Sequence, residues 1–288
     1  MKEAERKSLV VFIALIIIGA LFAWAGSQNG GSVAGIPVFA LLVGLVFAIQ
    51  WLVFIPAYKF QTEKYFDLTG SLTYISVTIL AVIFTPNADA RSILLAVLVI
   101  IWAVRLGSFL FGRIHKAGKD DRFDEIKPLF FRFLNVWTIQ ALWVTFTASA
   151  ALIAITASTR KEMDCYSVIG ALLWLFGFIF EVAADTQKSR FNADPANKGK
   201  FIQTGLWARS RHPNYFGEIV LWIGIAVIAI PVLQGWQWIA MISPIFVILL
   251  LTRVSGIPLL EKKADKKWGG QEDYEAYKKK TPVLIPKL

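Results

Sequence analysis

The chain has 288 residues, 56% of them hydrophobic and 17% charged, with a mean hydropathy of +0.58 and a formal net charge of +10. Soluble domains of this size carry about a quarter charged residues, so the composition excludes an ordinary water-soluble enzyme, and 11 Trp with 22 Phe exclude disorder. A single cysteine, Cys165, and two histidines, His115 and His212, exclude an intramolecular disulfide, a CxxC site and a histidine-rich metal cluster.

A bilayer span takes roughly 20 mainly apolar residues, with about 17–25 workable. Eight segments qualify: Leu9–Ala25, Val33–Ala57, Leu68–Phe84, Ser92–Phe111, Phe133–Thr156, Ser167–Ala184, Phe216–Val232 and Trp238–Thr252. The expected fold is an all-α polytopic membrane helix bundle of about eight transmembrane helices. The first segment also reads as a signal peptide, with a basic start, an apolar run and the small-residue motif Ala23-Trp24-Ala25. Cleavage there leaves seven spans and the same downstream orientation. The seventh span is short and runs into Pro231, which suits a tight or tilted hairpin with the eighth. Residues 1–32 are expected to form an additional N-terminal transmembrane helix and residues 33–288 the main membrane domain. Within the latter, 185–215 is a loop and 253–288 a tail.

Orientation follows the placement of Lys and Arg. The N-terminus, the loops near 58–67, 113–132 and 185–215, and the tail hold 26 of the 30 basic residues. Arg91, Arg160 and Lys161 fall on the other side, and Arg105 lies inside the fourth span. Both termini are therefore expected in the cytoplasm. The positive charge is a topology signal rather than a nucleic-acid surface. Nothing resembles an organelle address, so a bacterial inner membrane is expected, or the endoplasmic reticulum in a eukaryote.

Polar residues in and near the spans are the candidates for chemistry. Gln61 and Glu63 open the third span. A Glu kept protonated in an apolar pocket can donate a hydrogen bond to a ketone oxygen; the alternative is a solvated loop with Lys64 and Asp67. Thr69, Thr73 and Ser76 form a polar stripe suited to helix packing, beside Tyr74, which can reach a carbonyl. Arg105 has two partners open to it, an intramembrane acid such as Glu218 or a phosphate. His115 sits in a mixed-charge loop and reads as solvated. Gln140 suits an interhelical hydrogen bond.

Residues 181–218, EVAADTQKSRFNADPANKGKFIQTGLWARSRHPNYFGE, are the most informative. Glu181 and Asp185 share one helix face at the end of the sixth span. Lys188, Arg190, Lys198, Lys200, Arg209 and Arg211 follow, a density that suits phosphates or lipid headgroups. Arg211, His212, Asn214, Tyr215 and Glu218 cluster at the mouth of the seventh span, where Pro213 favours a helix start. Buried ionisable groups at such depth face a protein interior or a watery cavity. In the tail, Glu261 and Asp265 share a face with Trp268 and are flanked by lysines, a pattern for an interfacial helix. Tyr274, Tyr277 and the apolar end are expected to fold back over the loop.

Together DTQKSRF, GLWARSRHPNYFGE and IPLLEKKADKKWGGQEDYEAYKKKTPVLIP resemble the steroid 5-alpha-reductase-like membrane family, in its uncharacterised bacterial and fungal branch. They are also similar to the sterol C14 and C7 reductases, which share a QK-x-x-F segment followed by RHPNY-x-G-[DE]. The isoprenylcysteine carboxyl methyltransferases share a looser version of the second motif. FQTEKYFDLTG and WAVRLGSFLFGRIHKAGKDDRFDEIK extend the resemblance from about residue 58 to the end. The resemblance implies an NADPH pocket open to the cytosol, with Asp185, Lys188, Arg190, Arg211, His212, Asn214, Tyr215, Glu218 and Glu261 on its cofactor side. An acidic residue at 261 departs from the family pattern. Gln61, Glu63 and Tyr74 fall on the substrate side, although in the steroid reductases the Gln–Glu pair is adjacent. No metal is implied, and no GxGxxG marks a Rossmann domain. The expected function is NADPH-dependent reduction of a carbonyl-conjugated C=C bond in a steroid-like or other lipid substrate. An S-adenosylmethionine-dependent methyltransferase and a non-catalytic membrane protein are the alternatives.

Overall fold

The computed structural model describes residues 3–117 and 123–287, without the side chains of 4 and 113–117, so His115 lies outside the described side chains. The apolar runs fold as helices because a backbone in hydrocarbon must satisfy its own hydrogen bonds. Among the described residues eight helical segments are long and apolar enough to cross a membrane, and the fold is all-α and polytopic as expected. They contain α1 (Glu3–Gly26), α2 (Val38–Lys59), α3 (Phe66–Ile83), α4 (Ala90–Ala117), α5 (Phe130–Thr156), α6 (Cys165–Ala193), α7 (Pro213–Ala229) and α8 (Ile242–Leu249). The short α9 (Ile257–Trp268) and α10 (Glu272–Lys280) follow. The two strands, β1 (Ser32–Val33) and β2 (Ile36–Pro37), pair antiparallel around Ala34 and Gly35, whose φ values of 51° and 79° suit a primed hairpin turn.

The chain divides into two units. The first comprises Met1–Tyr166 and Ile228–Ser243. Its centre is α5, in which the apolar stretch is 78% buried, against 28–44% for α1 to α4. Polar side chains join these helices. Gln50 of α2 donates to Thr73 of α3 at 3.0 Å, and Gln140 of α5 donates to the Phe66 carbonyl of α3 at 3.1 Å, the interhelical bond expected of it. Asn135 donates to the Ser8 carbonyl of α1 at 2.9 Å. At one end Arg91, 2% exposed, donates to the carbonyls of Ile228 and Glu162, both at 2.8 Å, and pairs with Asp164 at 3.1 Å.

The second unit comprises Ser167–Val227 and Pro244–Leu288. Here α6 and α7 touch backbone to backbone at Gly177, Gly217 and Gly224. A Cβ on Gly217 would lie 2.6 Å from the Glu181 nitrogen and the Gly177 oxygen. Small residues allow this approach, and it fixes the start of α7 against α6. Two elements differ from the sequence reading. Helix α6 runs eight residues beyond Asp185, because no Pro or Gly interrupts it until Asp194 caps the next turn, accepting from Ala196 N at 2.9 Å. The eighth span is composite: a 3-10 stretch (Gly235–Met241), α8 and a π-helical turn (Leu250–Val254).

Candidate functional site

Pro213 is the first residue of α7, where its fixed φ and missing N–H cost nothing. That start presents Arg211 and His212 at the helix mouth, and Glu261 of α9 meets both. Its carboxylate lies 3.1 Å from Arg211 Nη1 and 2.7 Å from His212 Nε2. The Tyr215 ring stacks on the His212 imidazole, 5.7 Å between centroids and 9° between planes. His212 is 5% exposed, and its Nδ1, like Arg211 Nε, is buried with no hydrogen-bond partner among the described residues. Burial holds the imidazole below its usual range, and the charges of Lys188 and Arg211 act in the same direction, against the pull of Glu261. The imidazole is then neutral near pH 7. With the carboxylate opposite Nε2, the proton sits on Nε2 and Nδ1 offers a lone pair.

The loop before α7 is fixed by Trp207, to which the sequence alone assigns no role. Trp207 is 3% exposed and donates from Nε1 to the Ala184 carbonyl at 3.0 Å. Lys188 lies over its ring at 4.3 Å from the centroid, and Tyr277 donates to its carbonyl at 2.7 Å. Gln187, inside the DTQKSRF motif, accepts from Leu206 N at 2.9 Å. A tryptophan within a polar loop is the signal that points to such a plug. The tail folds back as expected. Arg211 N donates to the Pro282 carbonyl at 2.9 Å, Ser210 Oγ to the Leu284 carbonyl at 2.8 Å, and Lys287 N to the Arg209 carbonyl at 3.0 Å. Beside it, burial raises the Tyr277 phenol above its usual range and pushes Tyr274 up to about 12, so both hydroxyls stay donors.

The structure thus brings Lys188, Arg211, His212, Tyr215 and Glu261 into one neighbourhood. Asp185 is buried in α6, Asn214 and Glu218 are half-buried in the first turns of α7, and Arg190 is exposed. On the expected substrate side, all in the first unit, the three residues differ. Tyr74 is 5% exposed, its ring edge-on to Trp102 at 5.2 Å. Glu63 is buried and accepts from Lys127 Nζ at 2.6 Å. Lys127 also reaches Asp124 at 3.1 Å, and although burial works against its charge, these two carboxylates hold its pKa above the usual lysine range. Gln61 is exposed at a φ of 52°, and its amide donates to the Tyr58 carbonyl at 2.7 Å. Arg105 lies over the Phe109 ring, 5.3 Å from its centroid. Among the described residues no group of three His, Cys, Asp or Glu could hold a metal ion.

The family of proteins of unknown function DUF1295 matches residues 53–281, which is most of the chain and all of this neighbourhood. The chain belongs to the DUF1295 family. It is 25% identical over 231 residues to the uncharacterized protein C594.04c of Schizosaccharomyces pombe, a match covering 70% of this chain and 65% of that protein. It is 29% identical over 134 residues to 3-oxo-5-alpha-steroid 4-dehydrogenase 1 of Rattus norvegicus, covering 46% of each. The chain therefore spans a little under two thirds and a little under half of these two relatives. No solved structure gives a significant match.

Proposed function

We propose that this DUF1295 member is an integral membrane reductase that uses NADPH to saturate a carbonyl-conjugated C=C bond in a lipid-soluble substrate. The observation that carries the reading is the Arg211–Glu261–His212 cluster, in which two buried nitrogens face no partner among the described residues. Buried polar atoms are rarely left so, and the two left here suit different parts of a dinucleotide. Arg211 Nε is a charged donor for a phosphate. Nδ1 of a neutral His212 is an acceptor for a ribose hydroxyl. Lys188 and Arg190 add positive charge, while Asp185, Asn214, Tyr215 and Glu218 are retained as polar groups of the same pocket. Glu261 holds Arg211 and His212 in place. The rat relative's name also supports the reading. Removing hydrogen at position 4 of a 3-oxo steroid creates an enone, and the reverse reaction is the reduction proposed here.

When bound, NADPH supplies the hydride. The protein's part is orientation, exclusion of water and stabilisation of charge on the substrate oxygen. Tyr74 is the strongest donor candidate, with its hydroxyl buried in the first unit. Glu63 contributes as a donor only when Lys127 releases it, and Gln61 only by leaving the Tyr58 carbonyl. The membrane domain is assigned to 33–288, with 185–215 as the cofactor loop and 253–288 as its covering tail. Residues 1–32 are assigned as an N-terminal addition to that domain, carried by α1, and both termini lie in the cytoplasm of a bacterial cell.

Quenching of tryptophan fluorescence by NADPH, NADH and S-adenosylmethionine tests the cofactor. NADPH is expected to bind most tightly, and Arg211→Ala to weaken it more than NADH. Tighter binding of S-adenosylmethionine would favour a methyltransferase, and no binding by any of the three would remove the redox reading. Glu63→Gln is expected to slow turnover while the NADPH Kd stays within about twofold, a change of under 1 kcal/mol.

A further inference from the structure

In the first unit the start of α4 and the segment joining α5 to α6 form an open cavity of about 340 Å³, within the range of small-molecule sites, about 300–1,000 Å³. Asp89, Ala90, Arg160, Lys161, Glu162 and Met163 line it. Arg160 and Lys161, with Arg91, are the basic residues on the side where the positive-inside rule disfavours them, so each calls for a physical reason. Arg91 has one, since it ties the joining segment down through the Glu162 carbonyl and Asp164. Asp89 also has a structural task. Its Oδ1 caps α4, accepting from Ser92 N at 2.9 Å and Ser92 Oγ at 2.7 Å. Arg160 is only partly engaged. Its Nη1 donates to Ser92 Oγ at 3.2 Å and to the Ile155 carbonyl at 3.1 Å, which fixes the guanidinium against α4. Its Nη2 has no acceptor among the described residues and stays accessible. Lys161 and Glu162 are exposed, and neither side chain is in an ion pair among the described residues.

We propose that this cavity seats the headgroup of a zwitterionic phospholipid, a phosphodiester carrying a primary ammonium. The phosphate oxygens accept from Arg160 and Lys161, and the ammonium donates to the Glu162 carboxylate. A fixed guanidinium beside a lysine suits a phosphate. The carboxylate next to them repels a second negative charge and gives an ammonium its acceptor. A simple anion leaves Glu162 unmatched, and a simple cation meets Arg160 and Lys161. The acyl chains have a track of their own. Asp89, Ile93, Val97 and Ile101 are spaced by four, so they stack along one side of α4. The three apolar members are exposed, and the row leads from the cavity along the span. Free phosphoethanolamine has the same head chemistry but no use for that row. The proposal does not depend on the reductase reading.

Full-length protein, delipidated in a mild detergent, is titrated by native mass spectrometry. The probes are dioleoyl phosphatidylethanolamine, its phosphatidylglycerol and phosphatidylcholine counterparts, and free phosphoethanolamine. The ethanolamine lipid is expected to bind most tightly. Lys161→Gln should weaken the ethanolamine and glycerol lipids alike, by about fivefold, the worth of one interfacial cation. Glu162→Gln should weaken the ethanolamine lipid about threefold, as an exposed ion pair would, without weakening the glycerol lipid. Both residues are exposed, so Tm in lipid-free detergent should not change. Ile93→Gln should weaken the lipid alone. Free phosphoethanolamine that binds as tightly as the lipid, with Ile93→Gln without effect, would assign the site to a soluble ester instead. Equal retention of the three lipids, or wild-type binding in both Lys161→Gln and Glu162→Gln, would overturn the proposal in favour of non-selective lipid on the helix surface. A preference for the glycerol lipid would overturn it in favour of a plain anion patch.

Discussion

At single residues, the decisive feature is polar groups held against their ordinary solvation. His212 is held neutral by burial. The unfolded chain protonates near pH 6.5, so the unfolded state binds more protons below that value. Stability contributed here is complete above about pH 6.5 and is lost as the pH falls toward the lower folded-state pKa. The wild-type Tm should therefore drop between about pH 7 and about pH 5.5, and His212→Gln, which cannot titrate, should flatten that slope. An identical slope in the variant would assign the drop elsewhere. The Glu63–Lys127 pair makes a second prediction. Both side chains are largely buried, 5% and 12% exposed, and stripping one partner from such a pair costs about 3–5 kcal/mol. Lys127→Ala should lower unfolding stability by about that amount. Lys127→Met combined with Glu63→Gln should recover most of it, as a denaturation series in detergent would read.

Among the elements, the α6–α7 seam sets the geometry of the proposed cofactor side, because Gly217 lets α7 begin directly against Glu181. A methyl group there meets backbone atoms that cannot rotate away. Gly217→Ala should cost about 1–3 kcal/mol and weaken NADPH binding, whereas Gly44→Ala, with nothing within 4 Å, should be neutral or stabilising. Equal stability of the two variants would mean that the seam is looser than its distances imply. The helices themselves were legible in the sequence, since a long apolar run in hydrocarbon has one way to satisfy its backbone. Pro213 and Pro231 also marked real boundaries, because the missing N–H acts locally. The extension of α6 past Asp185 was not legible, as hydropathy falls there while helix formation continues. Nor was the π-helical turn at Leu250–Val254, which no local composition specifies. The partners Glu63–Lys127 and His212–Glu261 lie 64 and 49 residues apart. Pairing at that distance comes from tertiary packing, so the sequence marks Glu63, His212 and Glu261 as polar groups without their partners, and marks neither Lys127 nor Trp207.

For the whole molecule, charge placement predicts a topology that the chain's own chemistry can test. Cys165 is the only cysteine, it is exposed, and it opens α6 beside Arg160 and Lys161 on the side poor in basic residues. The positive-inside rule therefore predicts that its thiol lies outside the cytoplasm. A membrane-impermeant maleimide should label wild-type protein in intact cells. In Cys165→Ser carrying Lys200→Cys, an exposed position in the loop between α6 and α7, the same reagent should label only inverted vesicles. The two sites are separated by a single span, α6, so they must respond oppositely if α6 crosses the bilayer at all. Label on Lys200→Cys from outside would place Lys188, Arg211 and His212 away from the cytosolic dinucleotide pool, and the reductase reading would lose its cofactor supply whatever the local geometry offers.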